Sequence, residues 1–426
     1  MSMMQIKKLF HYEKGSLQSS KCIPGEYVFI TASSDWKSHK EYTHNCEALI
    51  FAAAASGSLG RTHYVNGKFI SSDLCFIITP KDSERYPVDL KFYHLLFQAF
   101  KDDIVKNTKA GTSKEAIGLS AFGKYEIPYF DIEKQKETKD KFVNVQGSTN
   151  LFTSELNQQL DLVKQLRQAF LREAMQGKLV PQDPNDEPAS VLLEKIKVEK
   201  ERLIKEKKIK KDKPLPPITE DEIPYELPEG WIWCRGDFLA KYIDPHPSHR
   251  TPSESKDGVP YVAMKDIQSD GTINFSTARK VSLNVLIEHK NRYELVEGDF
   301  IFGKIGTIGK PVKLIPPFNY TLSANVILIK TEREVLSADF LFYYLSSPLA
   351  EKFLFENKST TSYPVFGMGK ARLMIVPLPP ISEQHRIVSK LDQLMQYCDQ
   401  LEAGIRQSQQ HNEQLLQQVL REALEG

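Results

Sequence analysis

The spacing of apolar residues changes character several times along the chain. Tyr27 to Thr31, Ala48 to Ala53 and Leu74 to Ile78 are short apolar runs, which predict strands. Leu90 to Lys101 carries apolar residues at helical spacing, as does a longer block from about Asn150 to Gln176. Val180-Pro-Gln-Asp-Pro-Asn-Asp-Glu-Pro188 then holds three prolines, which prohibit a continuous helix. A charged helix is predicted from Ala189 to about Lys210, followed by Lys213-Pro-Leu-Pro-Pro-Ile, a semi-rigid extended linker. Near the end Pro379-Pro380 stops the preceding segment, and Ser382-Glu-Gln-His385 is a capped start for a helix that runs to the terminus.

These elements occur twice. Gly57-Ser-Leu-Gly60-Arg61 and Gly306-Thr-Ile-Gly309-Lys310 lie 249 residues apart, each after an apolar run (Glu47-Ala-Leu-Ile-Phe and Glu297-Gly-Asp-Phe-Ile-Phe). Leu171-Arg-Glu-Ala174 recurs as Leu420-Arg-Glu-Ala423, and Ile127-Pro128 as Val376-Pro377, at the same offset. Asp89-Leu-Lys-Phe-Tyr-His-Leu resembles Asp339-Phe-Leu-Phe-Tyr-Tyr-Leu with one residue of slippage. A shared offset in turns, strands and helix ends argues for one duplicated unit, a mixed domain followed by a helix. The expected division is a first mixed domain over 1–146, a helical spacer and linker over 147–222, a second mixed domain over 223–380, and a terminal helix over 381–426. The fold class is α+β.

In the terminal helix Ile387, Leu391, Leu394, Cys398, Leu401, Ile405, Ser408, Asn412, Leu415 and Val419 alternate by four and three, a seam of about 40 residues and roughly 60 Å. Leu156, Val163, Leu166 and Phe170 lie 249 residues before Ile405, Asn412, Leu415 and Val419. Either each helix packs on its own domain, or the two pair as an antiparallel coiled coil with internal pseudo-two-fold symmetry. Duplication favours the pair, in which Asn412 would cost stability and fix register.

Composition narrows the class without naming a function. Hydrophobic residues make up 41% and charged residues 26% of 426, as in soluble globular proteins. Five cysteines stand far apart with no C-x-x-C pair, which argues against a disulfide framework or a zinc site and suits a cytoplasmic protein. The opening Met1-Ser-Met-Met-Gln-Ile-Lys-Lys has no signal-peptide pattern. A net charge of +1 lends no support to a stand-alone nucleic-acid binder.

Candidate contacts to DNA come from loops. Ser58, Arg61, Lys304, Thr307 and Lys310 in the two glycine turns combine a hydroxyl, a cation and close backbone approach, which suits phosphate. The same glycines also serve a plain turn between strands. Two later loops are rich in hydroxyls and cations and occupy comparable places: Lys109, Thr112, Ser113 and Lys114 in one, Lys358, Thr360, Thr361 and Tyr363 in the other.

Catalytic constellations fail on inspection. Methyl transfer to a base amine needs an Asp/Asn/Ser-Pro-Pro-Tyr/Phe motif, and Leu314-Ile-Pro-Pro-Phe318 places Ile315 at the acceptor position. No G-x-G loop after an N-terminal strand offers a cofactor site, and the glycine turns lack P-loop spacing. His246-Pro-Ser-His249 is no metal pair, because Pro245 and Pro247 break any helical spacing and no Cys accompanies it. No metal, cofactor or catalytic residue is expected.

At this point the chain resembles the specificity subunits of type I restriction–modification systems. The resemblance rests on Leu227-Pro-Glu-Gly-Trp231, Gly306-Thr-Ile-Gly-Lys310 and Pro377-Leu-Pro-Pro-Ile-Ser-Glu-Gln-His-Arg-Ile387. It also rests on Phe170-Leu-Arg-Glu-Ala-Met-Gln-Gly-Lys-Leu-Val180 and Lys213-Pro-Leu-Pro-Pro217. It implies two target-recognition domains, each reading half of a bipartite double-stranded DNA target, with the helices setting the gap. It further implies two methyltransferase subunits docked on the helices, and restriction subunits in the full complex. The first domain departs from the pattern, opening with Gln5-Ile-Lys-Lys-Leu-Phe10 in place of a Leu-Pro-x-Gly-Trp segment.

Overall fold

A computed structural model of the chain describes residues 2–54, 57–110, 115–207, 215–246, 248, 250–268, 270–331, 336–359 and 364–425. They fall into two compact units, Met1–Gln159 with Gly404–Gly426, and Leu160–Ala403. Among the described residues no helix is long and apolar enough to cross a membrane.

In the first unit the apolar run at 48–53 belongs to the strand His44–Ala52. Its residues alternate between two cores: Leu49 and Phe51 meet the helix Leu90–Ala99, while Ala48, Ile50 and Ala52 join Ile30, Val65 and Phe69 on the other face. Burial on both faces explains a continuous apolar run in place of strict alternation. The six-stranded sheet runs Phe10–Lys14, Cys75–Pro80, His44–Ala52, Thr62–Ser71, Tyr27–Ile30, Lys37–His39. Asp89 caps the helix Leu90–Ala99 by accepting from the N–H groups of Lys91 and Phe92. A second helix, Lys101–Thr108, follows it directly.

The second unit repeats this register. Its four-stranded sheet runs Ala240–Ile243, Val326–Thr331, Phe300–Gly303, Gly309–Lys313. Tyr12 and Leu49 both oppose Ile78 in the first unit, and Tyr242 and Phe300 both oppose Ile329 in the second. Ser2–Gln5 pairs antiparallel with Glu126–Tyr129, as Ile232–Arg235 pairs with Ile375–Leu378. The first domain therefore has its opening strand although it lacks the Leu-Pro-x-Gly-Trp segment. A buried glutamine repeats as well. Gln135 accepts from the Asp89 N–H (2.7 Å) and donates to the carbonyls of Phe130 (2.7 Å) and Pro87 (2.9 Å). Gln384, 249 residues on, accepts from the Ser337 N–H (2.8 Å) and donates to Pro379 (3.0 Å).

The units differ in what joins the first two equivalent strands. Residues 15–43 add the strands Tyr27–Ile30 and Lys37–His39 to the first sheet. Residues 244–299 hold Glu254–Val262, Arg279–Val281 and the helix Leu283–Lys290, and with Thr321–Leu322 they build a separate three-stranded sheet.

The long helices span Ile132–Met175 and Ile381–Glu425. The first begins well before the expected Asn150, because its opening turns are rich in charged helix formers with little apolar periodicity. In the first unit Asn412 is buried and donates to the Thr149 carbonyl (3.1 Å) and the Thr153 hydroxyl (2.9 Å), and Gln409 donates to Asn157 (2.8 Å). There Leu156 and Ile405 are also buried, and Leu416 packs on the main core. In the second unit Val163 and Cys398 are buried, Phe170 packs on the core, and Arg167 reaches Asp399 (2.7 Å) and Glu402 (3.3 Å). Leu166 is 38% exposed, Leu401 51% and Leu415 53%, while Val419 is half-buried. The contacting face passes through Glu402, Gln409 and Leu416, one residue after Leu401, Ser408 and Leu415. Polar residues at two of those positions hid it in the apolar pattern.

Two of the segments carrying the family resemblance, residues 227–231 and 377–387, meet inside the second unit. Trp231 donates its indole N–H to Glu383 (2.9 Å), and Gln182 donates to the other carboxylate oxygen (2.7 Å). Arg386 pairs with Asp186 at 2.6 Å, and Ala189 N–H bonds the Gly230 carbonyl. Burial raises the Glu383 pKa above its ordinary value. These residues tie helix ends and linker together, a structural task.

Candidate nucleic-acid interface

Each glycine turn is built against a helix. Gly60 has φ +82°, and a Cβ there would lie 2.7 Å from the Val105 side chain and 2.8 Å from Lys101. Gly309 has φ +95°, and its Cβ would lie 3.0 Å from Leu354, the residue 249 positions after Val105. Only glycine meets both demands without strain.

The helices so contacted, Lys101–Thr108 and Pro348–Asn357, end at Lys109 and Lys358, both C-cap residues in extended conformation. The chain then returns to the turn. Lys109 and Ala110 pair with Ile117 and Ala116, and Ile117 N–H bonds the Ala53 carbonyl. In the second unit Ser359 and Val365 bond each other, Ile305 bridges Val365, and Phe366 N–H bonds the Lys304 carbonyl. Each unit thus brings the described flanks of its later predicted loop to the glycine turn as one composite edge. Thr112, Ser113, Lys114, Thr360, Thr361 and Tyr363 lie outside the described residues.

The remaining predicted side chains are differently committed. Thr307 and Lys310 are exposed, and Ser58 is half-buried. Arg61 donates from Nη1 to the Ser58 hydroxyl (3.2 Å) and the Ala32 carbonyl (3.3 Å). Lys310, its equivalent, donates to the Gln268 carbonyl at 3.3 Å. Lys304 is buried and paired with Asp244 at 2.9 Å. Lys109 pairs with Glu115 at 2.7 Å, and Lys358 sits 4.5 Å from the centre of the exposed Phe355 ring.

Other features escaped the sequence reading. In the first unit a cavity of about 630 Å³ is lined by Trp36, His63, Tyr64, Lys91, His94 and Lys139 among others. Burial lowers the pKa of His63 and His94, and burial beside Glu47 pushes Tyr64 up to about 12. In the second unit His246 and His289 share a hydrogen bond of 2.8 Å. His289 also bonds Thr321 and Tyr293, and burial lowers its pKa to about 4. His246 is therefore part of a buried polar chain, and His249 lies outside the described residues. Among the described residues no cluster of three or more His, Cys, Asp or Glu side chains could hold a metal. The signal for these groups was weak, since their members come from separate elements.

A family model described as "Type I restriction modification DNA specificity domain" matches residues 1–162 and 248–408. The chain is 34% identical over 265 residues to the type I restriction enzyme EcoAI specificity subunit of Escherichia coli, covering 61% of this chain and 44% of that protein. It is 31% identical over 296 residues to the Escherichia coli EcoEI specificity subunit, covering 66% and 48%. The chain thus spans about half the length of the curated relatives it matches. A solved structure from work on complex assembly and conformational transition of the type I R-M system has a similar fold. Its TM-score is 0.57 at 16% identity, covering 99% of this chain and 97% of that one. With its model matched in both halves, the chain belongs to the type I restriction–modification DNA specificity family.

Proposed function

We propose that this chain is the sequence-recognising, non-catalytic DNA-binding subunit of a cytoplasmic type I restriction–modification complex. Residues 1–146 and 223–380 are the two target-recognition domains, and each reads one half of a bipartite double-stranded target. The helices of 147–222 and 381–426 pair as an antiparallel coiled coil that sets the spacing and docks two methyltransferase subunits. Restriction subunits join in the full complex. The chain itself needs no cofactor, since the methyl donor and the base-modifying motif belong to the partners.

The observation that carries this reading is the composite edge, built twice at equivalent positions from a glycine turn, a helix end and a returning loop. Ser58, Thr307, Lys310, Lys109 and Lys358 supply hydroxyls and cations there, which suits phosphate and sugar contact. Thr112, Ser113, Lys114, Thr360, Thr361 and Tyr363 belong to the same loops and are proposed contacts. Arg61 and Lys304 border the edge through their internal bonds.

The test is co-expression with a modification subunit and mapping of methylated adenines. Methylation confined to one split motif is expected. Exchange of 1–146 or of 223–380 for another recognition domain should change one half of the motif only. A motif unaffected by either exchange would refute the assignment.

A further inference from the structure

The two units share register, turns, caps and buried glutamines, so those features cannot by themselves read two different half-sites. What differs is the segment between the first two equivalent strands, residues 15–43 in one unit and 244–299 in the other. In both units the cation that ends the glycine turn holds a backbone carbonyl of that segment: Arg61 holds Ala32, and Lys310 holds Gln268. Lys304 adds a buried ion pair to Asp244 at the start of the second segment. The duplicated edge thus grips the unlike segment beside it.

In the first unit the gripped stretch is a preformed loop. The Thr31 hydroxyl bonds the Ser33 hydroxyl (2.7 Å), and both lie within hydrogen-bond distance of the Asp35 carbonyl (3.3 and 3.0 Å). Trp36 donates to His63 Nδ1 at 3.4 Å. This arrangement presents Ser33, Ser34, Asp35 and Trp36 to solvent, with Trp36 44% exposed. The Asp35 carboxylate has no partner among the described residues. A carboxylate repels phosphate, so at a DNA surface its favourable partner is the exocyclic amine of a base. An indole offers an apolar face to a thymine methyl or a base edge.

We propose that base discrimination in the first unit resides in this loop. Asp35 and Trp36 are its specificity-determining side chains, and Arg61 is the positioning residue that holds the loop against the glycine turn. The proposal rests on the DNA-reading function and adds where the reading is done.

The experiment uses the chain assembled with its modification subunits. Binding is measured at one salt concentration against duplexes carrying every single-base change in both half-sites. Asp35→Ala and Trp36→Ala change exposed residues. Each is expected to lower discrimination about 10-fold or more at one or two positions of a single half-site. Affinity for unrelated DNA and the other half-site should be unchanged. A uniform loss across all sequences would make the loop a backbone contact and overturn the proposal, as would unchanged discrimination. Arg61→Ala should relax the same positions, with Arg61→Lys restoring them in part. If instead the unaltered assembly shows no sequence preference, the DNA-reading function itself fails.

Discussion

Gln135 is fully buried, and its amide ends the strand Glu126–Tyr129, starts the helix Leu90–Ala99 and fills its own first helical turns. Replacing it with Met keeps the volume and removes all three hydrogen bonds. The Asp89 N–H is then a buried donor without a partner, which costs about 1–3 kcal/mol, and two carbonyls lose one acceptor bond each. The expected destabilisation is about 3 kcal/mol. For a folding unit of this size that corresponds to a fall of roughly 6–12 °C in unfolding midpoint. Calorimetry on the full chain measures the shift, and hydrogen exchange at the Asp89 amide locates it. Gln384→Met should act in the same direction in the second unit, since Gln384 likewise accepts from a helix-capping N–H, that of Ser337, and donates to the Pro379 carbonyl. A midpoint shift under about 2 °C with Asp89 still protected would refute the claim that these glutamines hold cap and strand together.

Other consequences follow from single contacts. Asn412→Ala should cost about 1–2 kcal/mol by removing bonds to Thr149 and Thr153, whereas Asn412→Leu should stabilise the helices and loosen their register; melting and amide exchange along both helices separate the two effects. Lys304→Met should cost about 2–3 kcal/mol by removing the cation paired with Asp244, whose Oδ1 still accepts from the His246 N–H, and the double variant with Asp244→Asn should recover part of it. His289 is held neutral by burial, so the unfolded chain binds its proton first. Stability of the second unit should fall as pH drops from about 6.5 towards 4, and His289→Gln should flatten that slope in pH-dependent denaturation.

The duplication and most elements were legible because they depend on local pattern. Short apolar runs marked strands, and the Gly-x-x-Gly turns recorded a steric demand that the structure explains through Val105 and Leu354. The contacting face of the terminal helix was misaligned where Glu402 and Gln409 stand in it, since their roles depend on a partner helix that one sequence does not display. The equivalence of Gln135 and Gln384 was also missed. A buried amide reads in sequence like any polar residue, and only its offset of 249 could have marked it. The Thr31–Trp36 loop left no periodic signal at all, as its order comes from hydroxyl bonds within the loop and from Arg61 and His63 outside it.

The placement of cations bears on how such a chain would hold DNA. Among the described residues of the predicted interface, Lys304 is neutralised by Asp244 and Lys109 by Glu115. Arg61 and Lys310 donate to carbonyls and Lys358 sits on a ring, so their charge stays available to phosphate, that of Lys310 partly offset by the nearby Asp270. Three phosphate contacts release few counterions, and the logarithm of affinity should fall with the logarithm of salt concentration at a slope of about −3 for the chain alone. The modification subunits should steepen that slope severalfold if they provide the clamp that a net charge of +1 does not. Titration of binding between low and moderate salt, with and without those subunits, measures both slopes. A slope for the chain alone as steep as for the assembly would mean that it carries its own electrostatic footprint, and the paired lysines would then have to release their carboxylates on binding.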